Sequence, residues 1–502
     1  MRRTRIGVLP LLLLAFAVTA SAEARFGLAD AAEARNADAV RNLLASGADV
    51  NAPQSDGTTA LHWASYYDDA ETAELLLDAG ADANARNRYG VPPLSLACTN
   101  RNGRLVRLLL EAGADPSAVL PGGETVLMTA ARAGDLGAVE ALVEAGAEVE
   151  ASERNGQTAL MWAAAEGHAP AVDALLRAGA DFRRTLDSGF NAMFFAVREG
   201  RLDAVRTLMR AGADVNEPLH RRKRPQYQHA NSGMSPLLLA IENGHFELAV
   251  ALLEAGADPN DERTGFTPLH TITWVRKPKV SDYGSDPAPE GSGNLSSLQF
   301  VRTLVAMGAD VNAGLKSGKP QAPRINLQGA TPFLFAADKA DVPLMKVLLD
   351  LGADPFLPNV ENTTPLHAAA GLGTTAPLEE AGTEEEAYEA TELLLELGAD
   401  IDAIDDNGET VVHGAAYGSF PSVLQLLADN GADPELWGRP NRHGWTPLFI
   451  AEGYRPGNFK PAPLMIAAME ALMARHGLST DGARPRHVGT YEKARLAAQK
   501  SR

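Results

Sequence analysis

The sequence predicts an all-α repeat solenoid, and three observations carry that prediction. Eleven Gly-Ala-Asp or Gly-Ala-Glu triplets begin at Gly47, Gly80, Gly113, Gly146, Gly179, Gly212, Gly256, Gly308, Gly352, Gly398 and Gly431. The first five steps are each 33 residues, the next four are 44, 52, 44 and 46, and the last is 33 again. A second ladder at Gly57, Gly90, Gly123, Gly156 and Gly189 keeps the 33-residue spacing out of phase with the first. Composition is the third observation: 45% of residues are hydrophobic and only 6% aromatic, with Ala and Leu recurring throughout, which suits helices packed closely through small side chains. Length alone would suggest about three domains for 502 residues. A fixed period instead means one small unit repeated, here about twelve times.

Each part of a repeat has a local cause. Thr158 precedes a helix beginning near Ala159, where its hydroxyl can satisfy free backbone N–H groups. Pro follows the Thr in Thr267-Pro268 and Thr446-Pro447, because the first helical turn tolerates a missing N–H. This inner helix is short and Ala-rich, as in Ala163-Ala164-Ala165, and ends at Gly167. An outer helix follows with Val172, Leu175 and Leu176 on one face. Gly179 closes it in a left-handed conformation. The Asp-Val-Asn type segment and the next Gly then form a projecting hairpin. No repeat buries its faces alone, so stability comes from stacking on neighbours.

Thr364-Pro365-Leu366-His367-Ala368-Ala369 matches the T-P-L-H-x-A signature of the ankyrin repeat, and Gly47-Ala48-Asp49-Val50-Asn51 resembles that repeat's ending. The resemblance covers about residues 26 to 477. It implies inner helices and hairpin tips that line a concave contact surface for a protein partner. It also implies that His62, His270, His367 and His413, which share one repeat position, hydrogen-bond between neighbouring repeats. On that mapping Tyr66, Tyr67, Arg132, Glu166, Arg198, Glu199 and Asn243 end inner helices, while Phe190, Met234, Phe266 and Trp445 follow the hairpin glycine. Trp63 and Trp162 hold equivalent helix positions, where packing between repeats explains them as well as contact does. Aromatics and arginines on such a surface are the residues that anchor partners.

The ends and the longer steps are individual. Leu28 to Ala34 lacks the Thr-Pro start and reads as an N-terminal cap. Four insertions are expected near residues 217–232, 275–296, 314–328 and 371–387, and a flexible basic tail over 481–502. The first carries Arg221, Arg222, Lys223 and Arg224, a basic cluster in an acidic chain. The first and third insertions enlarge hairpins and should project from one edge as a basic ridge, whereas the second and fourth fall between the helices of a repeat.

At the N-terminus Arg2, Arg3 and Arg5 precede an apolar run from Ile6 to Val18, followed by Ala20-Ser21-Ala22. That is the pattern of a secretory signal over residues 1–22, cleaved after Ala22. Thirteen residues are too few for a membrane-spanning helix. The mature chain, residues 23–480 plus tail, is expected in the periplasm or outside the cell, resembling exported bacterial proteins of this repeat type, with no membrane span and a monomeric state favoured. Removal of the three arginines takes the formal charge from −19 to −22, which argues against a nucleic-acid partner.

No catalytic pattern is visible. Gly-x-Ser-x-Gly, His-Glu-x-x-His and phosphate-cradling loops are absent from the sequence. Cys98, the sole cysteine, lies on an inner helix and reads as a buried thiol. Asp402, Asp405, Asp406 and Asn407 before Gly408-Glu409 resemble a calcium loop faintly but lack its full ligand spacing, so no metal, cofactor or catalytic residue is assigned. The expected function is a noncatalytic protein-binding scaffold. The alternatives are a secreted effector or surface protein engaging another cell, and an enzyme whose site is built from the insertions.

Overall fold

The computed structural model describes residues 27–220, 233–278, 280–281, 284–285, 288–316, 325–374, 382–455, 460–481 and 484. Among these residues, 24 α-helices follow one another as twelve helix pairs, joined by a 3-10 turn at Pro434–Gly438 and a two-residue antiparallel pairing of Val280–Ser281 with Gly284–Ser285. The chain divides into two units at Asp214 and Val215, each holding six of the pairs. Within each unit the first helix of a pair packs on the first helices of its neighbours, and the second helices do the same. This is the all-α repeat solenoid the period predicts.

Local chemistry sets each helix boundary. Thr158 accepts a hydrogen bond from the Met161 N–H at 3.4 Å, and Thr331 accepts one from Leu334 at 3.2 Å, so each caps its inner helix. Gly179 adopts φ +93°, and its N–H and that of Ala180 bond to Leu176 and Leu175, terminating the outer helix. The outer helices bury one face each, through residues such as Val172 and Leu175 or Val205 and Leu208.

Two side-chain ladders tie consecutive repeats. Asn84 accepts from the Asp115 N–H and donates to the Gly113 carbonyl, both at 2.8 Å, and Asn51, Asn216, Asn260 and Asn312 make the same pair of bonds one repeat on. The second ladder is the histidines. His62, His270, His367 and His413 take the hydroxyl of their N-cap threonine on Nδ1 at 2.7–2.8 Å. Their Nε2–H then donates to the backbone carbonyl of Val91, Ala330, Glu409 and Trp445 in the following repeat, at 3.0–3.2 Å. The carbonyl can only accept, so Nε2 carries the proton and the ring is neutral. Burial holds all four below the ordinary histidine range, His270 at about 4 and His413 at about 3.

The described residues on either side of the expected insertions show how the chain enters and leaves them. The first and third leave their hairpins through one and the same pattern: Leu219 N–H to the Met234 carbonyl with Gly233 N–H to the Leu219 carbonyl, and Leu315 N–H to the Ala330 carbonyl with Gly329 N–H to the Leu315 carbonyl. The basic cluster Arg221–Arg224 lies outside the described residues, as does most of the expected ridge; Lys316, at its edge, pairs with Glu262. The second and fourth insertions separate the helices of their own repeats, Pro268–Arg276 from Ser297–Ala306 and Pro365–Ala369 from Glu384–Glu396. Their flanks meet through Lys277 and Glu386 at 2.7 Å. Arg276 grips Asp341 with two bonds of 2.7 and 3.0 Å, and Asp341 also caps the helix Val342–Asp350 through the Leu344 N–H. The expected signal segment over residues 1–22, and all of the tail except Asp481 and Arg484, lie outside the described residues. Arg484 bonds Glu452 and lies over the Phe449 ring, 4.9 Å from its centroid.

Candidate protein-binding surface

Inner helices bury the residues one and two positions after the N-cap and turn others outward. Counting from the cap, the side chains at four and seven positions on form a row across each unit. In the first unit Trp63, Tyr66, Arg132, Trp162 and Arg198 of that row keep exposed surface, whereas Thr129 and Phe195 are buried.

Tyr66 is 55% exposed at the end of its helix. It packs edge-on against Trp63 at 5.8 Å and Tyr67 at 5.1 Å, while Trp63 stacks on Tyr67 at 5.8 Å. Arg35 lies 5.4 Å from the Tyr67 centroid. Trp63 donates its indole N–H to Gln54 at 2.9 Å, which fixes the ring and leaves the tyrosines to project. Further along, Arg132 sits 5.4 Å over Trp162 and pairs with Glu124 at 3.3 Å. Arg198 covers both Phe190 and Phe195, at 5.4 and 5.3 Å, and donates to Glu199 at 2.8 Å. Glu166 is exposed at its helix end. The contacts join these residues in three groups, Tyr66 with Tyr67, Arg132 with Trp162, and Arg198 with Phe190 and Glu199.

In the second unit the sequence reading needs one correction. Met234 is 2% exposed and belongs to the core, because its backbone closes the hairpin neck with Leu219 and draws the side chain inward. Asn243 is half-buried and donates to the Leu239 carbonyl at 2.8 Å. Phe266 is half-buried and meets Trp274 edge-on at 4.9 Å and Phe335 at 6.2 Å. Sequence reasoning passed over Trp274 and Glu242, although both stand seven residues after their N-caps, Thr267 and Ser235, the register that marks Tyr66, Arg132 and Arg198.

A buried polar cluster in the last repeats also went unread. Asp405 accepts from the N–H groups of Asn407 and Glu409 and from Thr363 and Asn407 side chains, so its oxygens are occupied by the hairpin itself. Glu409 accepts from Asn441 at 2.8 Å and from the Tyr417 hydroxyl at 3.2 Å through one oxygen; the other has no hydrogen-bond partner and lies 4.0 Å from His413 Nε2. Burial, with the Asp405 charge adding to it, pushes the Glu409 carboxyl up to about 8. Among the described residues no three His, Cys, Asp or Glu side chains are placed to share a metal ion. Cys98 is buried, and desolvation pushes its thiol far up, as expected of a thiol that packs rather than reacts. No described helix is long and apolar enough to cross a membrane.

Paired helices, projecting hairpins and an aromatic and charged row on the inner helices define a helical repeat protein with a recognition face. A family model described as ankyrin repeats (3 copies) matches residues 28–119, 127–218 and 378–460, and a single ankyrin repeat model matches 232–263. These matches cover more than half of the chain, which belongs to the ankyrin-repeat family. Curated relatives share the repeats over short stretches. The E3 ubiquitin-protein ligase KEG of Arabidopsis thaliana is 32% identical over 24% of this chain and 6% of its own length. A probable 26S proteasome regulatory subunit, p28, of Saccharomyces cerevisiae is 29% identical over 25% of this chain and 50% of its own. A putative ankyrin repeat protein of Acanthamoeba polyphaga mimivirus is 24% identical over 24% of this chain and 23% of its own. The chain thus spans at most half the length of these relatives.

Proposed function

We propose that the chain is a noncatalytic scaffold that holds a protein partner against its inner-helix face, in the periplasm or outside the cell. The observation that carries this reading is the row of half-exposed aromatics and arginines at one repeat register of the first unit, from Tyr66 to Arg198. Core packing does not require them: Tyr66 is more than half exposed, and the arginines lie over ring faces rather than within the stack. Large rigid rings and planar guanidinium groups lose little entropy when a partner covers them, so they are effective anchors. The relatives support only the binding part, since the ligase and the proteasome regulatory subunit each match about a quarter of this chain. Export rests on the N-terminal sequence pattern alone.

Two measurements test this. Fractionation of cells expressing the full chain, with N-terminal sequencing of the product, is expected to yield a periplasmic or secreted species beginning at Glu23; a cytosolic, uncleaved chain defeats the export proposal. Cross-linking and pull-down from that compartment should capture a protein partner that is lost when Tyr66→Ala and Arg198→Ala are combined. A partner that ignores the double variant moves the contact off this face.

A further inference from the structure

We propose that the inner-helix face of the second unit receives a lysine or arginine side chain from the protein partner, with Glu242 as counter-charge and the rings of Trp274 and Phe266 as the platform. This deepens the binding reading above and rests on it.

The argument is a contrast at one register. Two aromatic groups of the first unit are covered by its own arginines: Arg132 lies over Trp162, and Arg198 over Phe190 and Phe195. In the second unit no arginine or lysine among the described residues lies over Trp274 or Phe266, although both rings are half-buried on the corresponding face. Trp274 stands where the first unit places Arg132 and Arg198, seven residues after the N-cap. The helix before it, Pro236–Glu242, packs directly on Pro268–Arg276 and puts Glu242 at that same position.

Glu242 is half-buried and has no hydrogen-bond or ion-pair partner among the described residues. Burial alone raises its pKa, with nothing nearby to oppose it. A desolvated carboxylate without a counter-charge is unfavourable, and a cation from outside removes that penalty. Among the described residues, Arg276, Lys277, Lys339 and Arg263 are committed elsewhere, to Asp341, Glu386, Asp338 and Asp261, each at 2.7 Å. A ring face attracts a cation, and most strongly when that face is indole. A carboxylate on the helix packed beside that of Trp274, with no described cation over the Trp274 and Phe266 rings, therefore selects a cationic side chain and repels an acidic one.

The full chain, immobilised, is used to select binders from a random peptide library, and the affinities of the selected peptides are measured for the parent, Glu242→Gln and Trp274→Leu. Selected peptides should share a lysine or arginine. Glu242→Gln, an isosteric change that leaves the fold intact, should weaken binding about tenfold. Replacing the peptide's arginine by citrulline should cost the parent about as much and the Glu242→Gln variant little, because the two changes remove one interaction. Peptides that lack a cation, or that bind Glu242→Gln as well as the parent, overturn this inference and leave the scaffold reading standing. Failure of the parent to select any peptide counts against both.

Discussion

The two units use one repeat plan for different ends. The first keeps strict 33-residue steps, short hairpins and one buried histidine of the Thr-x-x-His kind, His62. The second has four enlarged steps, three such histidines and two structures that the first lacks: the buried Arg276–Asp341 pair and the Glu409 cluster. The difference teaches where insertions lead. Apolar stacking and the Asn ladder serve both units, and at the interrupted turn after Arg276 the second adds the Arg276–Asp341 tie. That tie and the Glu409 cluster make the second unit the more sensitive to charge and pH.

The largest effect expected is at Asp341. Its side chain is 1% exposed and that of Arg276 17%. Asp341→Ala leaves a buried guanidinium unpaired and removes a helix cap, at a cost of about 3–5 kcal/mol. Asp173→Ala breaks the first unit's exposed Arg177–Asp173 pair and should cost less than about 0.5 kcal/mol. Hydrogen exchange read peptide by peptide separates the outcomes: residues 236–350 should lose protection in the first variant, with the first unit unchanged. Equal, small effects from both substitutions would erase the distinction between the units.

Acid comes next. Each buried histidine is neutral when folded and has its pKa lowered, so its contribution is complete above the unfolded value near 6.5. Below that pH the unfolded chain binds protons that the folded chain cannot, and stability falls until the folded pKa is reached, about 4 for His270 and about 3 for His413. With three such groups against one, the second unit should open first as pH drops from 6.5 toward 4. Exchange measured across that range checks the order, and earlier loss in the first unit would contradict it.

Glu409 works with the opposite sign. Its folded pKa is raised to about 8, so between the unfolded value near 4.5 and about 8 the folded state holds a proton that the unfolded state releases. Stability from this group is complete below pH 4.5 and declines as pH rises through 8. The groups facing it set the direction: Asp405 on its own hairpin, His413 and Tyr417 on the following helix, and Asn441 and Arg442 from the next hairpin. Glu409→Gln keeps the shape and cannot ionise, so it should stabilise the last repeats at pH 9 by about 1 kcal/mol and flatten the alkaline limb. A variant that is less stable than the parent at pH 9 would mean that burial does not raise the Glu409 pKa in the folded state.

How much of this could be read beforehand follows from what repeats. The helix pairs, the glycine turns and the histidine bridges recur in register, so their physics is legible at any one copy, and the positions of all four insertions follow from the step lengths. The residues that end the first unit's inner helices, Tyr66, Arg132 and Arg198, could be located for the same reason. Trp274 and Glu242 were missed because the second insertion lengthens their repeat and hides the register; counting from the N-caps Thr267 and Ser235 finds them. Met234 misled because at the neck of an enlarged hairpin the residue after the glycine turns inward, as Ala330 does at the other neck. The Glu409 cluster depends on Tyr417 and Asn441, side chains brought together only by folding, and no spacing announces it.

The smallest effect on stability is also the sharpest test of the contrast between a face and a core. Tyr66 gains little from the fold, since its ring is more than half exposed and meets only Trp63 and Tyr67. Tyr66→Ala should therefore change unfolding free energy by less than about 0.5 kcal/mol. If the first unit's row is a contact surface, the same substitution should weaken the captured partner about tenfold, measured by titration calorimetry. Leu175→Ala, in the buried stack, should do the reverse: it should cost about 2–5 kcal/mol through the cavity it leaves while partner affinity, measured under folding conditions, holds. Parallel losses in both quantities for both variants would mean that the row is part of the packing and that the partner binds elsewhere.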